Sequence, residues 1–359
     1  MRRFAAVSFI VGMLQVVPGP APGDWVLSLF EDYLEALRRQ AGIPGLVAVI
    51  AGEQGVVWER GFGRPDLDLP AVAAPDTPFH IDGLMQVVTA TLVLQCAEDG
   101  RLTLDDPVVP FDPLNPIDVP TIRQVLTHTS GSPDAPVYFY QPERFEALRS
   151  AVEACTGASF REAVADLTES LGMQETVPGA DALFMPPPVP DPADPDLEER
   201  YAATVSRYAS VLDRLAAPYA VDPRGAAARS QYLLPTLTAW GGLISTARDL
   251  ARFDIALRGG ALLTPETLAA AWQPPALANQ PPMPHALGWF VSTYNGHAVV
   301  WQFGVSDGAS SSLMISVPAH GITLILLANS DGLVRPFPLS NGDVTVSPFG
   351  RVFLGLLVP

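Results

Sequence analysis

The alternation of apolar and polar positions divides the chain into recognisable elements. From Trp25 to Arg39 apolar side chains recur at Leu27, Leu29, Phe30, Tyr33, Leu34 and Leu37, a spacing that places them on one face of an amphipathic helix. Two β-rich runs follow, Leu46 to Ala51 and Val56 to Gly61, with Glu53, Gln54 and Gly55 between them as a tight turn, so a hairpin is predicted. Asp82 stands where a carboxylate would cap the next helix. That helix runs through Leu84, Met85, Val87, Val88, Leu92, Val93 and Leu94 and is apolar almost all round, which predicts burial in a core. Helices are predicted over Thr121 to Thr127, Glu143 to Thr156, Ser159 to Leu171, Leu197 to Leu215 and Thr246 to Leu257. Strands return at Leu287 to Tyr294, Ala298 to Phe303, Ser311 to Val317 and Ile322 to Ala328, and Pro348 to Leu357 closes the pattern as a helix. Strands at both ends with helices between them predict an α+β fold, an antiparallel sheet flanked by helices with an all-helical insertion.

The predicted organisation is an apolar N-terminal segment over 1–23, a sheet domain from 24–80 and 236–359, and a helical insertion over 81–235. The insertion includes a Pro-rich excursion over 178–195, with Pro186, Pro187 and Pro188 in a row. Arg2 and Arg3 precede an apolar run from Phe4 to Val17, the layout of a secretory signal. The chain is therefore expected to be exported to the periplasm or outside the cell, or held at the membrane if the segment is not cleaved. Cys96 and Cys155 lie inside apolar helical patterns and are expected as two buried free thiols.

Net charge changes the picture of partners. At -17 the chain is unsuited to nucleic acid, which needs basic patches, and small molecules, peptides or proteins are the expected partners. All 21 basic residues are Arg, so no mechanism can use a lysine. The histidines at 80, 128, 285, 297 and 320 show no metal-ligand spacing, and no metal or cofactor is expected.

Several phrases together are similar to one family. Gly42 to Leu46, Trp58 to Gly63, Thr77 to Phe79, Gly100 to Pro107, Thr121 to Gly131, Leu171 to Met173 and Gly241 to Ala251 resemble, in order, the serine β-lactamases of class C type and the related DD-peptidases and esterases. The resemblance covers residues 28–356. It implies a sheet sandwiched by helices and a cleft where three motifs meet. The first is Ser-x-x-Lys at the start of the buried helix, a nucleophile with an amine that supports its deprotonation. Counting from Phe79, these positions hold Gly83 and Gln86. The second is Tyr-x-Asn, a tyrosine base with an amide that orients substrate. Tyr140 fills the tyrosine position and Pro142 the asparagine position. The third is Lys/His-x-Gly on the strand edging the cleft, where Gln302 replaces the cation and Gly304 is kept. Only Tyr140 and Gly304 match the family.

The resemblance combined with these losses implies a catalytically inactive homologue that binds a peptide or small acyl compound in the old cleft. An active hydrolase with a relocated nucleophile among Ser306, Ser310, Ser311 and Ser312, assisted by Tyr140, is the enzymatic alternative. An interaction role through the Pro-rich segment is the third. His128 is expected to be structural, its ring satisfied by Thr127, Thr129 and Ser130, and Asp105 with Asp106 to form a solvated turn.

Overall fold

The computed structural model describes residues 23–108, 119–131, 136–184, 193–232, 236–276 and 282–359. The N-terminal apolar run and the prolines at 186–188 lie outside them.

A helix, α1 (Asp24–Gln40), leads into β1 (Gly45–Ala51) and β2 (Val56–Gly63), the predicted helix and hairpin. The short β3 (Phe79–His80) and a 3-10 turn over Asp82–Leu84 introduce the buried α2 (Met85–Glu98). The helical part continues with α3 (Ile122–Leu126), the small ladder of β4 (Thr129–Ser130) and β5 (Val137–Tyr138), α4 (Arg149–Thr156), α5 (Phe160–Ser170) and α6 (Leu197–Asp213). A second ladder, β6 (Tyr219–Val221) with β7 (Ala227–Arg229), and the short β8 (Ile244–Ser245) return the chain to the sheet. Then come α7 (Ala247–Arg258), α8 (Pro265–Ala271), β9 (Phe290–Tyr294), β10 (His297–Ser306), β11 (Ser310–Val317), β12 (Ile322–Ala328) and α9 (Pro348–Leu357).

The main sheet runs β2-β1-β12-β11-β10-β9 and every pairing in it is antiparallel. The two ends of the chain meet at β1 and β12, where Leu46 faces Ala328 and Ala51 faces Thr323. Each residue of β1 and β11 is buried because helices cover both faces. On one side Val47, Val49, Ile325 and Leu327 pack with α2, α7 and the inserted helices. On the other, Leu46, Ile50, Leu324 and Leu326 pack with Phe30 and Leu34 of α1 and Phe353 of α9. Period-two alternation thus divides one strand between two cores. Two insertion helices begin at capping boxes: Thr121 and Ser159 accept from the amides of Gln124 and Glu162, whose side chains reach back.

Three expectations are revised. The segment predicted as one helix from Glu143 is a 3-10 helix over Pro142–Leu148 followed by α4, as a proline at the start and a tight first stretch allow. The strand expected from Leu287 begins at Phe290, because Gly288 takes a φ of 101°, outside the extended region. Cys96 and Cys155 are not free thiols. They form a disulfide that ties α2 to α4 across 59 residues of sequence, with a Cα separation of 6.1 Å, in the range such a bridge needs.

Candidate functional site

The all-round apolar character of α2 drives it into the core, and the few polar side chains it carries must find partners there. Gln86, in its first turn, is fully buried. Its Nε2 donates to the Gly83 carbonyl at 3.2 Å and the Tyr140 hydroxyl at 2.9 Å. Only a nitrogen can donate to a carbonyl, so Oε1 is the atom left facing His128 Nε2, 2.9 Å away. The imidazole therefore carries its proton on Nε2, and its Nδ1 accepts from the backbone N–H of Gln141 at 3.2 Å. These two partners, rather than Thr127, Thr129 or Ser130, satisfy the ring. His128 itself has a φ of 50°, which swings it out of the α3 terminus into the core.

A second amide repeats the arrangement from the sheet side. Gln302, buried on β10, donates through Nε2 to the Gly288 carbonyl at 3.3 Å and faces His285 Nε2 at 3.4 Å. Its Oε1 accepts from the Phe303 N–H at 2.9 Å. His285 Nδ1 donates to the Ala286 carbonyl at 2.9 Å, so the unprotonated Nε2 is available to accept. The rings of His128 and His285 meet edge to face with centroids 4.5 Å apart, joining the two amides into one network. Burial holds both imidazoles well below the usual histidine range, His285 to about 3, so both are neutral at neutral pH. Burial pushes the Tyr140 phenol far up, away from what a tyrosine base requires. No formal positive charge is present among these partners.

Gly83 and Gly304 complete the site from the backbone. A Cβ on Gly83 would lie 2.6 Å from the Phe303 carbonyl oxygen, and one on Gly304 would lie 2.4 Å from the Gly83 nitrogen. The 3-10 turn and β10 therefore touch backbone to backbone where a serine side chain would stand. Pro142, at the start of its 3-10 helix, has no amide to offer. The structure brings Gly83, Gln86, Tyr140, Gln302 and Gly304 to one place and leaves Pro142 as a helix start.

Of the four candidate replacement serines, Ser306 is half-buried at the end of β10 and the other three are engaged elsewhere. Ser310, Ser311 and Ser312 are fully buried and donate to Asp82 Oδ2 at 2.8 Å, the Ser330 carbonyl at 2.6 Å and the Ile81 carbonyl at 2.6 Å. Tyr140, expected to assist one of them, has its hydroxyl on Gln86 instead. Asp105 and Asp106 do form an exposed turn, bonded to Arg123 and to Thr103. Among the described residues no group of three or more His, Cys, Asp or Glu is placed to hold a metal ion.

Asp82 is the residue whose role the sequence pattern misplaced. It does not cap α2. It sits inside the 3-10 turn with a φ of 48°, buried, its carboxylate turned to Ser310, and burial raises its pKa to about 7. A raised carboxylate pKa means that the folded state binds more protons than the unfolded state between about pH 4 and 7, so stability is lost as pH rises through that window. His285 works in the opposite sense: its lowered pKa makes stability rise between about pH 3 and 6.5. Asp82→Asn keeps a side chain that tolerates positive φ and can still accept from Ser310. It is expected to raise stability at pH 8 by on the order of 2–4 kcal/mol and to have little effect near pH 4, as urea denaturation at the two pH values would show. A variant equally or less stable at pH 8 would mean that the carboxylate is not strained there.

The Beta-lactamase family profile matches residues 30–343. The chain belongs to that family. Among solved structures, an octameric penicillin-binding protein homologue from Pyrococcus abyssi aligns with a TM-score of 0.69 at 18% identity, over 92% of this chain and 77% of that one. The class C beta lactamase from Rhodobacter sphaeroides gives 0.63 at 16% identity, over 90% and 96%. The D-amino acid amidase from Ochrobactrum anthropi gives 0.65 at 18%, over 90% and 97%. At these identities the likeness speaks for the fold, which is the beta-lactamase and transpeptidase-like arrangement of sheet and helices. Among curated proteins, Protein flp of Staphylococcus aureus is 34% identical over 109 residues, 29% of this chain and 22% of that protein. The mitochondrial serine beta-lactamase-like protein LACTB of Bos taurus is 28% identical over 108 residues, 28% of this chain and 19% of that one. The matched stretch thus spans about a fifth of each relative's length.

Proposed function

We propose that this member of the Beta-lactamase family is a non-hydrolytic protein whose former catalytic centre has become a neutral, hydrogen-bonded plug. The observation that carries the reading is the contact between Gly83 and the Phe303–Gly304 backbone, which leaves no room for a side chain at the nucleophile position. The glutamines at 86 and 302 support it, because each fills its own hydrogen bonds within the protein and neither offers charge to a substrate. Loss of a serine nucleophile in a hydrolase triad costs about a millionfold in rate, and no neighbouring group here makes up for it. A peptide or small acyl ligand at this centre would meet neutral, hydrogen-bonded side chains and no nucleophile. Recognition in place of acyl transfer is the role this leaves.

Export is part of the same proposal. A disulfide between the chain's two cysteines is a feature of proteins that fold in oxidising compartments, and it accords with the Arg2-Arg3 and apolar pattern at the N-terminus.

Intact mass spectrometry after separate incubation with a fluorophosphonate and a penicillin tests the reading. The folded protein is expected to take no adduct from either. An adduct mapped to Ser306, Ser310, Ser311 or Ser312 would establish a relocated nucleophile and overturn the proposal.

A further inference from the structure

A pocket of about 380 Å³ lies at the opposite terminus of α1 from the chain's start, between the last turn of that helix and the loop leaving β2. Arg38, Arg39 and Arg64 line it, with Ile43, Pro44 and Leu67 as an apolar side, and no acidic residue is among the lining. Arg38 is the most enclosed of the three. Its Nε and Nη2 hold Glu35, and its Nη1 donates to the Ile43 carbonyl at 2.7 Å, which fixes its position. Arg39 shares the same Glu35 through Nε and leaves its outer nitrogens exposed. Arg64 donates only through Nη1, to the Leu67 and Leu69 carbonyls at 3.0 and 3.5 Å, and pairs with no carboxylate among the described residues. Three guanidinium groups line the pocket with no carboxylate in its wall, while Glu35 pairs with Arg38 and Arg39, and Asp66 and Asp68, on either side of Leu67, both pair with Arg229.

Arg39 and Arg64 are both exposed, so the donors they leave unengaged are open to an anion from solution. A guanidinium presents a planar fork of N–H donors suited to two oxygens of one anion. Arg64 has Nε and Nη2 unengaged on one edge, and Arg39 has its two terminal nitrogens. We propose that this pocket binds a small molecule carrying a phosphate group, the dianion seated between Arg64 and Arg39 and an apolar portion against Ile43, Pro44 and Leu67. A phosphate presents enough oxygens to meet both free guanidinium edges, and the pocket has room beside it for a short apolar group. The assignment is independent of whether the family's catalytic centre is active, because none of its residues belongs to that centre.

Isothermal titration with phenyl phosphate, inorganic phosphate and benzoate tests it on the whole protein. Phenyl phosphate is expected to bind saturably, more tightly than inorganic phosphate, with affinity falling as salt is raised. Arg64→Gln should weaken binding about tenfold or more, the scale of a charge-assisted pair. Arg64→Lys should lie between the two, keeping charge and losing the fork. Arg39→Gln provides a second lesion on a separate element, and Arg351→Gln, on α9, should leave binding unchanged. No saturable heat with phenyl phosphate up to ~10 mM, far weaker than two forked contacts should give, would overturn the site. So would equal binding by Arg64→Gln and the unaltered protein. Benzoate binding as tightly as phenyl phosphate would overturn the phosphate assignment.

Discussion

Writing the family's first motif back into this chain, Gly83→Ser with Gln86→Lys, is expected to destabilise the protein without making it a hydrolase. The Cβ introduced by Gly83→Ser would be placed 2.6 Å from the Phe303 carbonyl oxygen, on a stretch of β10 held by its ladder to β11, where Phe303 faces Leu313. Overpacking of that kind typically costs about 1–3 kcal/mol. Lysine at position 86 would replace a fully buried amide whose oxygen accepts from His128. An ammonium has no acceptor to offer, so the His128 Nε2–H would lose its partner, and no carboxylate among the contacts of Gln86 would compensate the charge. Leaving a buried donor unpaired costs about 1–3 kcal/mol, and the unpaired charge adds to that. The double variant should therefore be at least ~3 kcal/mol less stable, read as a fall in urea midpoint. It should also take no penicillin adduct by intact mass. Full stability together with acylation would show that β10 yields easily at Phe303, and the plug reading would fail.

The same residues explain how much of the protein is legible in its sequence. The sheet and its helices follow from periodicity, since β1, β11 and β12 read as continuous or alternating apolar runs and α9 as a compact apolar segment, and the structure places them at or within a residue of the expected bounds. The motif positions come from the resemblance by local spacing, counted forward from Phe79, back from Thr156-Gly157 and within Trp301 to Gly304. What spacing does not carry is the partner of each substituted side chain. Nothing in the sequence marks His285, 17 positions before Gln302, as the ring that would meet His128, and nothing tells that Gln86 and Gln302 would each close on neighbouring backbone carbonyls. Asp82 shows the limit most sharply. A carboxylate ahead of a helix ordinarily caps it, yet here a positive φ turns the group away from the helix and toward Ser310 on β11. Long-range packing settled that outcome, not helix propensity.

Cysteine pairing is hidden from the sequence for the same reason and leads to the second large effect. Cys96 and Cys155 fall in separate apolar helical patterns, and only the packing of α4 against α2 brings them together. Replacing both by serine should lower stability by about 4 kcal/mol on the chain-entropy account for a loop of this length, since the bridge closes 59 residues of sequence. The effect acts mainly through the unfolded state, so the serine variant should fold to the same structure with an unchanged network at Gln86 and unfold at a lower urea midpoint. Cys96 is 3% exposed and Cys155 only half-buried, so a reductant should reach the folded bridge from the Cys155 side. The bridge joins the far part of α2 to the end of α4, about 15 Å along α2 from Gln86. Hydrogen exchange should therefore report α2 and α4 loosening first when the bridge is removed. Equal midpoints for the serine variant and the parent, with the parent's thiols shown to be reactive, would mean that the bridge does not form in the mature protein, and the inference of an oxidising compartment would lose its structural support.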